Sequence, residues 1–400
     1  MTDLTVTPTD LDFAPVHQAM KRYVDQDILP GVSWAVLRGR DLIDVQHVGW
    51  ADREAGVPWR ADHIVRSYSD SKLVTSCAVM LLWEDGLIDL DAPIDALIPQ
   101  LAARRVLRPG ATSLDDSEPA RSAITVRQLL THTSGLSYGL LDPGTLIFKA
   151  YRERSVLHPL RTLEGMMDAL HDLPLLFHPG TGFEYSVATD VLGRVVEVVS
   201  GQRFDAFLQQ RIFGPLGMVD TGFSLDAGRR ERLTAFYTGS DLTQPMAPGL
   251  TRDDHAPYPG AYTPGVPWLS GGGGLVSTLP DMVALLRSLL PGGPTLLRPE
   301  TLALMMRNHL PDGVWIRFPR FGEVVGKGFG LGGAVTLAPA PFDPPSSTGE
   351  FQWGGLGGTH WWISPAQNLA AVVQTQRQMA FWHPYAFEFK HAVYQAAKAG

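Results

Sequence analysis

The residues best placed to do chemistry together are Ser69 and Lys72, in the run Ser69-Asp70-Ser71-Lys72. On a helix, residues three apart share a face, so this spacing lets the lysine amine reach back to the serine hydroxyl. The run opens an apolar segment, 71–84, carrying Leu73, Val74, Cys77, Val79, Met80, Leu81 and Leu82. A helix apolar on every side is a buried helix. Ser69 would then stand at its start, where free N–H groups and the positive end of the dipole favour a developing anion. Burial disfavours a charged ammonium, which is how a lysine becomes a usable base near neutral pH. The competing reading is structural: Ser69 caps the helix and Lys72 snorkels from its first turn. Spacing alone does not choose between them.

A second candidate is Tyr185, which comes after the turn Pro179-Gly180 and precedes a helix over 187–200. Val187, Val191 and Val195 mark one stripe of that helix, Leu192, Val196 and Val199 its neighbour, and Gly201 the exit. A tyrosine just before a helix start could pass a proton between Ser69 and a leaving group. Alternatively it packs, with its hydroxyl satisfied nearby. The third element is Trp353-Gly354-Gly355-Leu356-Gly357-Gly358-Thr359. Glycines in a strand mark places where a ligand or another backbone comes close. Acyl transfer needs two backbone N–H groups aimed at the oxyanion, and a bare strand beside the nucleophile can supply the second. A flexible hairpin turn is the plainer reading.

These pieces, in this order, resemble the serine β-lactamase and penicillin-binding-protein superfamily, whose sites combine S-x-x-K, Y-x-N or S-x-N, and a K-T-G strand. The likeness is to its class C β-lactamase-like branch, in particular the family VIII carboxylesterases. It extends to Val126-Arg127-Gln128-Leu129-Leu130-Thr131-His132-Thr133-Ser134-Gly135-Leu136, to Pro179-Gly180 with Tyr185-Ser186, and to the stretch from Gly272 to Thr278. The resemblance implies Ser69 as acylated nucleophile, Lys72 and Tyr185 as the proton-transfer pair, and an oxyanion hole from the N–H groups of Ser69 and Leu356. It also sets Trp353, Gly354 and Gly355 where the K-T-G strand stands. Two departures carry information. The amide of Y-x-N is replaced by Val187, and the lysine of K-T-G by Trp353. The first change removes the group that would hold an acylamino side chain, the second the cation that would attract a carboxylate. Recognition of β-lactams and peptide C-termini weakens, while nucleophile and oxyanion hole remain. Ester hydrolysis is the expected role.

Other residues are weighed against these. Gly135-Leu136-Ser137-Tyr138-Gly139 matches G-x-S-x-G, but that motif needs a strand before it and a helix after it. Here 126–131 reads as helix and Asp142-Pro143-Gly144 breaks any later helix early, so Ser137 is expected to be a turn residue. His132 is expected to stabilise its own turn. His360, next to the glycine strand, is a candidate pocket residue. Tyr258, Tyr262 and Trp268 could form an acyl or alcohol pocket or simply exclude solvent. The twelve histidines show no metal-ligand spacing, and one cysteine, Cys77, permits neither a disulfide nor a cysteine cluster. No cofactor or metal is expected.

These residues must be positioned by a chain of 400 residues, long enough for a large core. A net charge of −8 and the lack of any Lys/Arg run point away from nucleic acid and anionic membranes. The first ten residues lack a basic and an apolar signal region, and no apolar run nears the roughly 20 residues of a membrane span. A cytoplasmic location is expected. The partner is a small ester substrate, and the oligomeric state is left open.

A helix is predicted over 12–27, then strands over 32–37 and 42–50, turning at Arg38-Gly39-Arg40. Helices come next over 71–84, 126–131, 163–173 and 187–200, and 238–268 reads as one long ordered loop serving a site. Strands return over 329–337, 351–353, 359–363 and 369–376, before a last helix over 383–397. The fold class is therefore α+β: an antiparallel sheet built from both chain ends and flanked by helices, with a mainly helical domain inserted. The expected division is 1–86 with 265–400 around 87–264.

The leading expectation is a serine carboxylesterase acting through an acyl-enzyme on short-to-medium acyl esters. Acyl transfer to an alcohol, amide or D-aminopeptide hydrolysis, or weak β-lactamase action would use the same site. A catalytically inactive binding protein on the same fold is the reading from another class.

Overall fold

The computed structural model describes residues 4–241, 243–318 and 322–398. Its centre is an eight-stranded sheet in the order Lys327–Phe329, Ala334–Thr336, Phe351–Gly354, Thr359–Ser364, Leu369–Gln374, Gly31–Arg38, Asp41–Asp52, Val57–Pro58. Every neighbouring pair is antiparallel. The two chain ends join where Ser33 pairs with Gln374 and Arg38 with Leu369. No described residue of 87–264 belongs to this sheet; helices Val126–Leu130, Leu146–Glu153, Leu163–Leu170 and Ala188–Ser200 lie in that segment.

Alternation along the strands builds two cores. Trp361, Ala370 and Val372 pack with Leu73, Val74 and Cys77 of helix Ser71–Glu84 and with the helical segment. Their neighbours Trp362, Ala371 and Val373 pack with Val16 and Met20 of helix Ala14–Asp25 and Phe389 and Val393 of helix Pro384–Lys398. The sheet is thus covered on both faces, as a period-two pattern apolar at nearly every position requires. Each wholly buried aliphatic or aromatic side chain of this kind contributes roughly 1.5–3 kcal/mol. Among the described residues no helix is long and apolar enough to cross a membrane.

Three sequence expectations need correction. The segment 329–337 is two strands folded back on each other, not one. Gly330–Gly333 forms the reversal, with the Gly330 N–H donating to the Gly333 carbonyl and Gly332 at φ +110°, where only glycine is comfortable. Helix 163–173 stops at Leu170, and Asp172 has already turned to φ 63°. Finally, the loop 238–268 is partly regular: Tyr237–Gly239 pairs with Leu250–Arg252.

Candidate active site

Ser69 lies in a 3-10 turn, Tyr68–Asp70, that runs straight into helix Ser71–Glu84. The residue before it, Tyr68, is held at φ 46°. Such a conformation in a non-glycine residue costs on the order of 1–3 kcal/mol and persists only where surroundings enforce it. Here the glycine strand enforces it. A Cβ on Gly355 would collide with the Ser67 carbonyl oxygen and come 3.2 Å from the Tyr68 Cβ. Only a bare backbone can press this closely on the nucleophile turn, which is the close approach that glycine in a strand signals.

Lys72 is 2% exposed. Its Nζ lies 3.3 Å from the Ser69 Oγ and donates to the Gly272 carbonyl at 2.6 Å. Gly272 is fixed in turn by Asp190, whose Oδ1 accepts from the Gly272 N–H (3.2 Å) and the Ser270 hydroxyl (2.5 Å). Asp190 is fully buried, and burial pushes its carboxyl above the usual aspartate range against these hydrogen bonds and the attraction of Lys72. A Cβ on Gly272 would meet the other Asp190 oxygen at 2.7 Å, so the glycines of 270–274 permit this contact as well. The sequence reading missed Asp190. Its signal was available: an acidic residue on the buried face of an otherwise apolar helix, five residues after Tyr185.

The Tyr185 hydroxyl donates to the Ser69 Oγ at 2.7 Å. Its ring lies 4.6 Å from the Lys72 Nζ, a cation–π distance. The turn that carries it is locked from two sides. His132 Nδ1 accepts from the Ser186 N–H at 3.2 Å and contacts the Ser186 hydroxyl at 3.0 Å, with its ring 4.9 Å from that of Tyr185. Burial first, then Lys72, hold the His132 imidazole well below its ordinary pKa, so it is neutral and free to accept. Ser137 donates through its hydroxyl to Glu184 at 3.1 Å, and its carbonyl accepts from Val187 N–H. Ser137 is 3% exposed and hydrogen-bonded on both sides of Tyr185, in irregular backbone rather than the turn expected of it. Glu184 is also buried, with its carboxyl pushed up to about 7 mainly by desolvation. Tyr138 stacks on Tyr185 at 5.7 Å.

Trp353, where the K-T-G cation would stand, donates its indole N–H to the Tyr185 hydroxyl at 3.3 Å. The site therefore brings Ser69, Lys72, Tyr185 and Trp353 into one hydrogen-bonded group. A model of the beta-lactamase family matches residues 16–387. The chain belongs to the beta-lactamase family. It is a serine hydrolase. Esterase EstB from Burkholderia gladioli is 32% identical over 397 residues, spanning 94% of this chain and 94% of its own. Lovastatin esterase from Penicillium rubens is 34% identical over 339 residues, spanning 79% of this chain and 80% of its own. EstCE1, described as a hydrolase with promiscuous acyltransferase activity, superposes with a TM-score of 0.77 at 26% identity, over 95% of this chain and 97% of its own.

Within this beta-lactamase-family site the remaining sequence candidates fall differently. Val187 is fully buried just before the start of helix Ala188–Ser200. Gly354 ends its strand opposite His360. His360 turns to Phe381 and Tyr385, and burial lowers its pKa to about 4. It lines a cavity of about 90 Å³ behind Trp353, with Phe318, Phe381 and Trp382; Ser69, Lys72 and Tyr185 are not among its walls. Tyr258 and Trp268 stack on each other at 6.5 Å, and Tyr262 is buried in a small core with Ile64 and Val276. Leu356 is half-buried in the turn between strands Phe351–Gly354 and Thr359–Ser364. Sequence reasoning also missed Phe318, 5.8 Å from the Tyr185 ring and 6.3 Å from Trp353. It comes from a short hairpin, Ile316–Phe318 with Gly322–Val324, whose three-residue strands carry little periodicity.

Proposed function

We propose that this serine hydrolase is a carboxylesterase of the family VIII kind, cleaving uncharged esters through an acyl-enzyme on Ser69. One observation carries the reading: a single serine oxygen has a phenol at 2.7 Å and a buried amine at 3.3 Å, both within reach of its proton. In the mechanism the Ser69 oxygen attacks the ester carbonyl as its proton passes to the Tyr185/Lys72 pair. The tetrahedral oxyanion rests on the N–H groups of Ser69 and Leu356. Collapse breaks the C–O bond to the alcohol, which leaves with the proton returned through Tyr185. Water then attacks the acyl-enzyme by the same proton route and frees the acid.

Substrate class derives from the surroundings of this group. Trp353 takes the place of a cation, and Phe318 and Phe381 continue an aromatic wall from it. Such a wall favours apolar, uncharged acyl or alcohol groups and gives a carboxylate nothing to bind. The named esterases among the relatives support the same direction. Acyl transfer to an alcohol is a second reading, favoured by the acyltransferase activity in the description of EstCE1.

The test is a panel of nitrophenyl esters run beside nitrocefin and D-alanyl amides, with and without added alcohols. Esters should turn over with a burst of nitrophenol, and Ser69→Ala should remove turnover while Ser137→Ala keeps most of it. Loss of activity in Ser137→Ala with retention in Ser69→Ala would overturn the assignment.

A further inference from the structure

The cavity behind Trp353 has no task in the acyl-enzyme mechanism, although one of its walls is two hydrogen bonds from the nucleophile. Its volume of about 90 Å³ has room for roughly six water molecules, or for an alkyl chain of that size. Two wall residues, Trp353 and Phe318, also face the catalytic phenol, with rings 5.3 Å and 5.8 Å from that of Tyr185. Trp353 therefore stands as a partition between the reacting group and the cavity. It is 5% exposed and has little freedom to swing aside. Its strand lies inside the eight-stranded sheet, where Trp353 pairs with Trp361, and Phe329 and Phe381 pack on its ring at 5.2 Å and 5.6 Å. Moving the indole would break its hydrogen bond to Tyr185 along with these ring contacts.

The two lysines among the walls are spent within the fold. Lys327 pairs with Asp343 at 2.8 Å and donates to the Thr336 hydroxyl at 2.7 Å. Lys390 pairs with Glu350 at 2.5 Å and donates to the Gln352 side chain. His360 is neutral, since burial lowers its pKa to about 4. With Phe381, Trp382 and Val373 on the remaining sides, the cavity suits an uncharged apolar group.

Which end of an ester faces this partition follows from the proton route. The departing alcohol oxygen takes its proton through Tyr185, so at collapse it must stand within hydrogen-bonding reach of that hydroxyl. Trp353 donates to the same hydroxyl at 3.3 Å, which sets the first carbons of the alcohol against the indole. We infer that Trp353 is the specificity-determining residue for the alcohol part of the ester, and that the cavity behind it is a subsite for longer apolar alcohols which the indole keeps shut. The same limit applies to an alcohol that accepts the acyl group, because it enters along the path by which the first one leaves.

The inference rests on the esterase reading, which labelling of Ser69 by a fluorophosphonate tests separately. The experiment measures kcat/KM by acid release for the butyrate esters of ethanol, butanol, hexanol and octanol. In the wild type the values should fall along the series. The ratio of Trp353→Ala to wild type should rise about tenfold or more from ethyl to octyl, since one methylene accommodated in an apolar pocket is already worth about tenfold. Trp353→Phe loses the N–H but keeps a ring, so it should be slower by a nearly constant factor along the series. Ala386→Leu fills the cavity from helix Pro384–Lys398 and, combined with Trp353→Ala, should cancel the gain for the long alcohols. Should Trp353→Ala fail to fold, Trp353→Leu takes its place with a smaller gain. A flat ratio in an enzyme active on ethyl butyrate, an equal gain in Trp353→Phe, or a gain that Ala386→Leu leaves intact overturns the inference alone. Absence of all ester hydrolysis, with Ser69 unlabelled, removes the esterase reading and the inference with it.

Discussion

Replacing Tyr185 by Phe removes one oxygen and keeps the ring packed against His132, Tyr138 and Trp353. The account predicts a loss of about 10²–10⁴ in kcat with nitrophenyl esters, since a positioned proton carrier contributes that much. Tm should hardly change, which separates chemistry from folding; a variant that retains most of its turnover would remove Tyr185 from the mechanism. At this scale the sequence was readable where residue type and spacing were both unusual. Ser69, Lys72 and Tyr185 stood out because a lysine in an apolar helix and a tyrosine before another helix are each worth explaining. Trp353 stood out as a departure from a resemblance. Asp190 and Phe318 did not, because their partners lie far along the chain: Gly272 is 82 residues from Asp190, and Tyr185 is 133 from Phe318.

The elements bring those distant partners together. Helix Ser71–Glu84 was legible to the residue because its apolar run is unbroken and Gly86, at φ 72°, stops it. Segment 329–337 was misread because Gly330-Leu331-Gly332-Gly333 joins two apolar strands that look like one when turn geometry is ignored. The glycine strand gives the sharpest prediction. In Gly355→Ala the new methyl would collide with the Ser67 carbonyl and the Thr359 hydroxyl, forcing strand and nucleophile turn apart. A displacement approaching about 1 Å should lower kcat about 10²-fold. The KM for esters should change much less, as steady-state kinetics would show. A fully active Gly355→Ala would mean that the strand's approach to Ser69 is not what holds the reacting geometry.

At the scale of the molecule, two helical layers clasp the sheet and the site lies where one of them meets the glycine-bearing end of strand Phe351–Gly354. Cys77, one turn and a half beyond Lys72, reports on the integrity of that layer. It is fully buried, and desolvation pushes its thiol up to about 12. A thiol-specific disulfide reagent should leave the native enzyme unlabelled and react only as denaturant abolishes the near-ultraviolet tertiary signal. Rapid labelling in native buffer would show that the nucleophile helix opens on its own. The antiparallel sheet from both chain ends was visible in the order of strand and helix patterns. The aromatic wall was not, since Phe318, Trp353 and Phe381 come from separate stretches and meet only in three dimensions.

The central claim is that the acyl group of an ester is carried by one particular serine. Rapid acid quench of the enzyme during turnover of a slow nitrophenyl ester, with peptide mapping in a mass spectrometer, tests it directly. The acyl mass should be found on the peptide containing Ser69 and be absent in Ser69→Ala. An acyl group on the peptide containing Ser137, or turnover with no covalent adduct at all, would contradict the account.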